Sequence, residues 1–345
     1  GPPPGPEGSL EPLVQKVDGL FHRVPNLIRP VRPLSDWLAY RQLKRAFASF
    51  RPDIVHTHSG KAGFIGRLAA KRAGVPKIIH SIHGPSFGLF QGWATNALFR
   101  GAERFAGRMT DHFVTVADAM RDQYLAAGIS QADDYTRIPS GFDLQPFLDA
   151  ENSPTKRASL GLSPGDFVVG KIARLFELKG HDDLFAIAPR LARRIPNIRF
   201  LLVGDGVWRG RFERLAKEIG CGQNFIFTGL VPPSEIPSLV GVMDALVHLS
   251  RREGLPRALP QAMAAAKPVV AYDCDGAGEV CLDGKTGHLI EPGDLAKLEE
   301  RLAKLANDAP LRTALGQAGR KLVEEEFTVE QLVERQYELY KRLLA

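Results

Sequence analysis

The chain has 345 residues, of which 44% are hydrophobic and 24% are charged. This length and composition indicate a globular protein of about two domains and exclude an intrinsically disordered chain. No apolar run is long enough to span a bilayer, so a transmembrane helix is not expected. The three cysteines lack Cys-x-x-Cys spacing, which argues against a disulfide framework or a structural zinc site and favours a reducing compartment.

Charge is unevenly distributed along the chain. Residues 20–110 contain 15 lysines and arginines against three acidic residues, although the net charge of the whole chain is only +6. A cationic first half is typical of proteins that bind nucleic acid, an anionic membrane surface or phosphorylated substrates, and solvated helix faces explain it equally well. No aromatic platform or known nucleic-acid-binding module accompanies the charge, so nucleic acid is not a predicted partner.

Short apolar runs alternate with amphipathic stretches in the first half, which predicts βαβ units around a parallel sheet. The predicted strands lie at residues 19–24, 53–58, 77–83, 112–116 and 136–139. The predicted helices lie at residues 33–50, 63–73, 93–108 and 117–127. Helix 33–50 has basic residues beside apolar ones, a pattern compatible with contact with a membrane surface, but a core-packed helix with a basic outer face is the favoured interpretation.

The second half repeats the same alternation. The predicted strands lie at residues 167–175, 199–204, 225–229, 245–249 and 268–272, and the predicted helices at 182–194, 210–219, 233–240, 259–266, 295–307, 309–325 and 328–344. Residues 142–164 are rich in Pro, Ser, Asp and Asn and are the predicted interdomain linker. We therefore expect domains at 1–145 and 146–327, a closing helix at 328–345 that packs on the first domain, and a ligand cleft at the carboxyl ends of both sheets.

The segment that starts at Ser250 has the richest chemistry. A predicted strand ends just before it, its loop carries Glu253 and Gly254, and a predicted helix follows. Free N–H groups at a helix start can bind a phosphate, and a carboxylate beside them can accept hydrogen bonds from hydroxyls. This combination suits a sugar phosphate, although a helix cap with a solvated glutamate would leave the same pattern.

Of two cations, Arg174 closes the first predicted strand of the second half and Lys179 lies in the loop after it. An arginine fork and a lysine point charge at this spacing can straddle a diphosphate, and two surface cations are the alternative interpretation. Gly204 and Gly206 begin a Gly-x-Gly-x-x-x-Gly turn, which differs from the dinucleotide fingerprint and makes a dehydrogenase the weakest hypothesis.

Histidines cluster at the ends of two neighbouring predicted strands in the first half: His56 and His58 on one, His80 and His83 on the next. Zinc binding is not favoured, because no third ligand has metal spacing. We expect His80 to be buried and hydrogen-bonded, and His83 to be the better candidate for contact with a substrate. The acidic pair in residues 273–275 resembles a metal-binding Asp-x-Asp, but we interpret it as a turn.

Together these stretches resemble the retaining glycosyltransferases of family 4, which have the two-domain GT-B fold. The resemblance runs from about Arg51 to the end of the chain and depends on the order and spacing of many pieces. The matching pieces are the Arg174 and Lys179 pair, residues 53–58, 83–84, 138–143, 203–206, 227–229, 253–254, 268–271 and 278–280, and the glycines at 287 and 293.

The resemblance implies a role for each matching position. Arg174 and Lys179 would hold the diphosphate of the donor without a metal, Glu253 would bind the hydroxyls of the transferred sugar, and His83 would lie near that sugar. The remaining donor-binding residues would be Gly204, Gly254, Leu255, Arg257, Ala258 and Gln261. The implied co-substrate is a nucleotide-diphosphate sugar, and no other cofactor is expected.

The chain departs from the family pattern in three places. Gln261 replaces a glutamate, so it can bond a ribose hydroxyl only without charge, and Pro256 stands where a glycine is frequent and donates no N–H. The first strand-loop-helix unit of the amino-terminal domain is lacking from the pattern, which puts the activity of the chain in question.

The leading hypothesis is an enzyme that transfers a hexose or N-acetylhexosamine to a glycan or lipid-linked glycan in cell-surface polysaccharide synthesis. It would act in the cytoplasm or at the inner face of the membrane. The alternatives are a nucleotide-sugar epimerase on the same fold and a non-catalytic nucleotide-sugar binder.

Overall fold

The computed structural model describes residues 11–16, 21–88 and 90–345. Packing divides the chain into two compact units, of which unit 1 comprises residues 1–138 and 334–345 and unit 2 comprises residues 139–333. Each unit is built on one parallel β-sheet. Within the described ranges, no helix is both long enough and apolar enough to cross a membrane.

Unit 1 has a four-stranded sheet over its described residues, in the order β1-β2-β3-β4. The strands are β1 (Ile54–His58), β2 (Lys77–Ile82), β3 (His112–Thr115) and β4 (Tyr135–Arg137). The helices are α1 (Glu11–Val14), α2 (Pro33–Phe50), α3 (Gly60–Ala73), α4 (Trp93–Gly107) and α5 (Asp118–Ala126). Strands β2 and β3 are buried along almost their whole length, which explains why they are apolar runs rather than alternating ones.

The prediction for the first half holds for four strands and four helices. The bounds of helix 33–50 are confirmed, and helix 63–73 begins three residues earlier, at Gly60. The strand at 19–24 is wrong where the structure describes it: residues 21–24 form no strand, and residues 19 and 20 lie outside the described residues. Val24 is nevertheless buried, so the apolar residue that suggested a strand is used for packing.

A buried ion pair connects α3 to α4 in unit 1. Nη2 of Arg67 lies 2.8 Å from Oε2 of Glu103, and the two side chains are 0% and 5% exposed. The arginine also donates to the carbonyl of Gly63 at 3.1 Å and lies 3.4 Å from the hydroxyl of Thr110. Because charges buried away from water are costly unless they are paired, this contact is a strong constraint on how the two helices pack.

Unit 2 has a six-stranded sheet in the order β10-β9-β8-β5-β6-β7. The strands are β5 (Phe167–Ile172), β6 (Ile198–Val203), β7 (Phe225–Gly229), β8 (Ala245–His248), β9 (Val269–Tyr272) and β10 (Gly287–Ile290). The helices are α6 (Gln145–Leu148), α7 (Pro154–Ser159), α8 (His181–Arg194), α9 (Arg209–Glu218), α10 (Ile236–Gly241), α11 (Ala258–Ala264), α12 (Leu295–Asn307), α13 (Ala309–Glu326) and α14 (Val329–Leu344), whose later residues belong to unit 1.

The structure corrects three predictions for the second half. Strand β10 was not predicted, and the expected linker at 142–164 belongs to unit 2 and contains the short helices α6 and α7. The helix expected at 233–240 divides into a 3-10 turn and then α10. Proline lacks the N–H group that an α-helix needs, so the prolines at 232, 233 and 237 account for this division.

One face of the unit 2 sheet packs against α8 to form a large apolar core. Val169, Leu202 and Val247 of three neighbouring strands contact this core together with Leu184 and Phe185 of α8. Strand β5 lies between β6 and β8, so the loops that leave the carboxyl ends of β5 and β8 are neighbours. The ends of parallel strands are where ligands bind in such sheets.

Candidate active site

The loops after β5 and β8 in unit 2 are held together through their backbones. The N–H of Arg251 donates to the carbonyl of Leu178 at 2.8 Å. Gly180 has a φ of +65°, and a Cβ atom added to it would lie 2.0 Å from the carbonyl oxygen of Leu249. Only glycine allows both this conformation and this approach. The result is that Lys179 is placed beside the loop that carries Glu253.

Lys179 and Glu253 form an ion pair at this junction. The ammonium Nζ of Lys179 lies 2.6 Å from Oε1 of Glu253 and 3.3 Å from the hydroxyl of Ser250. An ammonium has three N–H donors, and the third has no acceptor among the residues that the structure describes. Lys179 can therefore keep Glu253 in place and still donate to a ligand.

Glu253 is ionised at neutral pH. Burial by itself raises the pKa of its carboxyl group, but His248 and Lys179 outweigh this effect and lower the pKa to about 2. Nε2 of His248 lies 3.3 Å from Oε1; burial lowers the pKa of this histidine, and Glu253 acts in the opposite direction. The backbone N–H of Glu253 donates to Asp275 at 2.7 Å. No donor among the described residues reaches Oε2, which leaves one carboxylate oxygen for a ligand.

Strand β5 ends at Ile172 and not at residue 175 as predicted, so Arg174 lies two residues beyond the strand, with an exposed side chain. Its guanidinium carbon is 5.6 Å from the ring centre of Phe176, and it has no ion pair within the described ranges. Gly204 supports this segment, because its φ is +133° and an added Cβ would lie 2.4 Å from the carbonyl oxygen of Ala173. The guanidinium is therefore a cation without a protein carboxylate, as a site for an anionic ligand requires.

The residues after Glu253 that were predicted to bind the donor are mostly inward-facing. Leu255 and Ala258 are each 7% exposed, and the carbonyl of Gly254 accepts a hydrogen bond from the N–H of Gly276 at 3.0 Å. Arg257 is exposed and lies over the ring of Phe142, whereas Gln261 is half-buried on α11. Because α11 has only seven residues, its dipole is short.

The predicted histidine cluster forms at the ends of β1 and β2 in unit 1. Nδ1 of His58 and Nε2 of His83 are 2.9 Å apart, and the ring of His58 stacks on that of His56 with centroids 4.4 Å apart. His56 is hydrogen-bonded to Ser81 and, on α14, to the hydroxyl of Tyr340, each at 2.7 Å. Burial and the neighbouring histidines lower the pKa of His56 to about 3 and of His58 to about 4, so both rings are neutral.

His80 and the acidic residues at 273–275 are further residues of types that can bind a metal ion. His80 is buried and hydrogen-bonded to Thr57 at 2.9 Å, as expected. Residues 273–275 lead into a 3-10 helix at Asp275–Glu279, so the Asp-x-Asp segment is a turn. The described part of the chain contains no group of three or more His, Cys, Asp or Glu residues that could hold a metal ion.

Known proteins resemble both parts of the chain. Residues 152–322 match the model of the family described as glycosyl transferases group 1, and residues 3–146 match that of Glycosyltransferase Family 4. The "Putative glycosyltransferase EpsD" of Bacillus subtilis is 30% identical over 304 residues, which cover 86% of this chain and 79% of the relative. The chain belongs to the glycosyl transferases group 1 family.

Two further similarities are informative for this group 1 glycosyltransferase. The UDP-Gal:alpha-D-GlcNAc-diphosphoundecaprenol alpha-1,3-galactosyltransferase of Escherichia coli is 26% identical over 322 residues, covering 92% of this chain and 82% of the relative. The crystal structure of Anabaena HepE in complex with UDP and glucose matches with a TM-score of 0.82 at 22% identity, covering 97% of this chain and 89% of that one. This structural match confirms the predicted GT-B fold.

Four side chains at this candidate site were not predicted to contribute to it. Ser250, His248 and Asp275 each contact Lys179 or Glu253, and Lys171 lies buried on the strand that leads to Arg174. A lysine inside an otherwise apolar strand was the one signal that could have drawn attention to Lys171. The contacts of Ser250, His248 and Asp275 depend on which loops lie side by side, and no local sequence pattern indicates this.

Proposed function

We propose that this chain is a retaining glycosyltransferase of family 4 that transfers a hexose or N-acetylhexosamine from a nucleotide-diphosphate sugar to a glycan or lipid-linked glycan. The reaction would be a step in cell-surface polysaccharide synthesis. The observation that carries the proposal is the 2.6 Å contact between Lys179 and Glu253. It places a cation suited to a diphosphate against a carboxylate suited to sugar hydroxyls, and membership of a glycosyltransferase family supports the same assignment.

Arg174 and Lys179 would bind the diphosphate of the donor. As the bond from the anomeric carbon to the phosphate oxygen breaks, the electron pair stays on the diphosphate, and fixed cations lower the energy of that charge. Two N–H groups of Arg174 and the third N–H of Lys179 supply this stabilisation without rearrangement of the ion pair. The acceptor oxygen bonds the anomeric carbon on the same face, and its proton passes to the departing diphosphate.

Glu253 would orient the transferred sugar. Its free Oε2 can accept hydrogen bonds from two neighbouring hydroxyls, while Oε1 stays bound to Lys179. Its negative charge also favours the positive charge that develops on the sugar ring in the transition state. In unit 1, His83 remains a proposed substrate contact, and its ring is held by its bond to His58.

The other donor contacts that we propose are Gly204, Gly254, Leu255, Arg257, Ala258 and Gln261. Gln261 would bond a ribose hydroxyl without charge, so we propose that it anchors the nucleotide less firmly than a glutamate would. The chemistry needs no metal, because Arg174 and Lys179 already supply the positive charge at the diphosphate.

We propose a lipid-linked acceptor and contact of unit 1 with an anionic membrane surface. The Escherichia coli relative is named for a diphosphoundecaprenol-linked substrate. On α2, Trp37 is 50% exposed, Arg41 stacks on it at 4.6 Å, and Lys44 and Arg45 are exposed, although Phe47 packs into the core. We expect the protein to sediment with phosphatidylglycerol vesicles and to be released by salt. Equal binding to phosphatidylcholine vesicles, or no binding, would contradict this assignment.

Arg174→Ala should weaken binding of the nucleoside diphosphate by about 1.5–3 kcal/mol, because it removes charge-assisted hydrogen bonds. This corresponds to a Kd that rises by a factor of about 10 to 150. Thermal-shift screening against UDP, GDP and ADP identifies the base, and titration calorimetry then gives the two Kd values.

Arg193→Ala is the matched control, because this exposed arginine lies at the far end of α8. It should leave the Kd unchanged. If Arg174→Ala binds the diphosphate as tightly as the wild type does, the assignment of the donor site is wrong.

A further inference from the structure

Strand β5 contains a lysine in an unusual environment. Lys171 is 1% exposed, and the residues before it on the strand are buried, whereas Ile172 after it is half-buried. Over the described residues, no hydrogen bond or ion pair reaches its ammonium group, whereas Lys179 and Lys267 in the same unit are both hydrogen-bonded. Burying a charge without a partner is costly, so a lysine persists in such a place only under a specific constraint.

The register of the sheet places the Lys171 side chain beneath the start of α8. Lys171 pairs with Leu202 on β6, and paired residues of neighbouring strands point to the same face. Leu202 belongs to the core that packs against Leu184 and Phe185 of α8, as does Val169, two residues before Lys171. The lysine therefore lies on the α8 face, near the carboxyl end of β5, where the donor-binding loops begin.

The carboxylates around Lys171 are already paired. Glu253 binds Lys179, and Asp183 accepts hydrogen bonds from Arg251 at 2.7 Å and from the hydroxyl of Tyr272 at 2.9 Å. His181 is the first residue of α8 and is also 1% exposed, and its Nδ1 has no hydrogen-bond partner among the described residues. Burial and the two lysines lower the pKa of His181 to about 2, so it is neutral.

The balance of these groups leaves Lys171 close to half-protonated at neutral pH. Burial is the largest effect, and together with Lys179 it lowers the pKa of Lys171 to about 7, while Glu253 and Asp183 act in the opposite direction. A ligand that adds negative charge beside Lys179 would cancel the repulsion from that lysine and attract a proton to Lys171. The leading ligand for Arg174 and Lys179 is a diphosphate.

We propose that Lys171 is a third cation of the donor site and takes up a proton when a nucleoside diphosphate binds at Arg174 and Lys179. This inference rests on the proposed function of that site. The negative charge of the bound ligand would then offset the charge of this unpaired ammonium group in an apolar strand. Binding raises the pKa of Lys171. The affinity for the diphosphate is therefore greatest below the pKa of the free protein, near 7, and falls as the pH rises towards the pKa of the complex.

Proton uptake by the wild-type protein is the direct test. We would titrate UDP at pH 8 by calorimetry in several buffers that differ in ionisation enthalpy, using GDP or ADP instead if screening selects that base. If binding raises the pKa by about two units, uptake should be about 0.8 proton per site, and the Kd should rise by up to about tenfold per pH unit. The terminal phosphate of UDP is already ionised at pH 8. When cations bind it, the phosphate could only release protons and could not account for proton uptake.

Lys171→Met should abolish both the proton uptake and this pH dependence while it retains the shape of the side chain. It should also unfold at the same temperature as the wild type or higher, because the buried amine is gone. Lys267→Met is the matched control: burial also lowers the pKa of Lys267, but this lysine precedes β9, at the opposite end of the strands. It should leave the proton uptake intact.

Different results of these titrations would contradict the role of Lys171 and the proposed function. Tight binding of UDP with no proton uptake at pH 8, or uptake that persists in Lys171→Met, would overturn the role of Lys171 and leave the donor site standing. If UDP, GDP and ADP all fail to bind, the proposed function and this inference are both wrong.

Discussion

Glu253→Gln should lower kcat/KM for sugar transfer by a factor of about 10²–10³, the size of effect seen when one preorganised electrostatic contact to a transition state is removed. The substitution keeps the shape of the side chain but removes the negative charge that we propose faces the sugar. Binding of the nucleoside diphosphate should be retained or become tighter, because Lys179 then loses its carboxylate partner and is free for phosphate. Steady-state transfer assays and calorimetry with the diphosphate measure the two effects separately.

Glu235→Gln is the control for this variant. Glu235 also pairs with a lysine of unit 2, Lys156, at 3.3 Å, but on an exposed surface, so its loss should leave kcat/KM unchanged. Unchanged transfer by Glu253→Gln would remove this residue from the mechanism. If neither the wild type nor Glu253→Ala turns over the donor although both bind it, the chain is a nucleotide-sugar binder and not an enzyme.

Glu103→Gln should lower the free energy of unfolding of unit 1 by about 3–5 kcal/mol, the usual cost of breaking a buried ion pair from one side. The variant leaves the guanidinium of Arg67 fully buried without its counter-charge. Denaturant unfolding followed by a probe in unit 1 measures the change, because a chain with two units need not unfold in one step.

Two comparisons make the Glu103 result specific. Asp122→Asn removes an exposed partner of Arg121 and should cost less than about 1 kcal/mol. Replacing both Arg67 and Glu103, with methionine and leucine, should recover most of the stability, since no unpaired charge remains. A single variant as stable as the wild type would mean that water reaches Arg67 after the substitution.

Local patterns in the sequence predicted most of the fold. Helix α2 was predicted with its observed bounds, and strands such as β8 were recognisable because parallel strands buried on both faces are short apolar runs. Strand β10 was not, because four residues between glycine- and proline-rich turns contain too little pattern. The opposite error occurs at residues 21–24, where a strand was predicted and none forms. Val24 is buried there without belonging to a strand.

The sequence predicted which residues belong to the candidate site but not which of them are in contact. Arg174, Lys179 and Glu253 follow predicted strands, so their place at strand ends could be inferred. The contact between Lys179 and Glu253 joins residues 74 positions apart and depends on β5 lying beside β8, which no short-range signal encodes. The environment of Lys171 likewise follows from the register of three strands.

The close contact at Gly180 limits how donor specificity could be engineered in this protein. Any side chain at this position would collide with the backbone at Leu249 and push apart the loops that follow β5 and β8, where we propose that the donor binds. A library that randomises residues 174–181 to accept other sugars would therefore lose most of its members to misplaced loops unless Gly180 is held constant. Selection for new substrates should concentrate on positions whose side chains, and not their backbone, face the ligand.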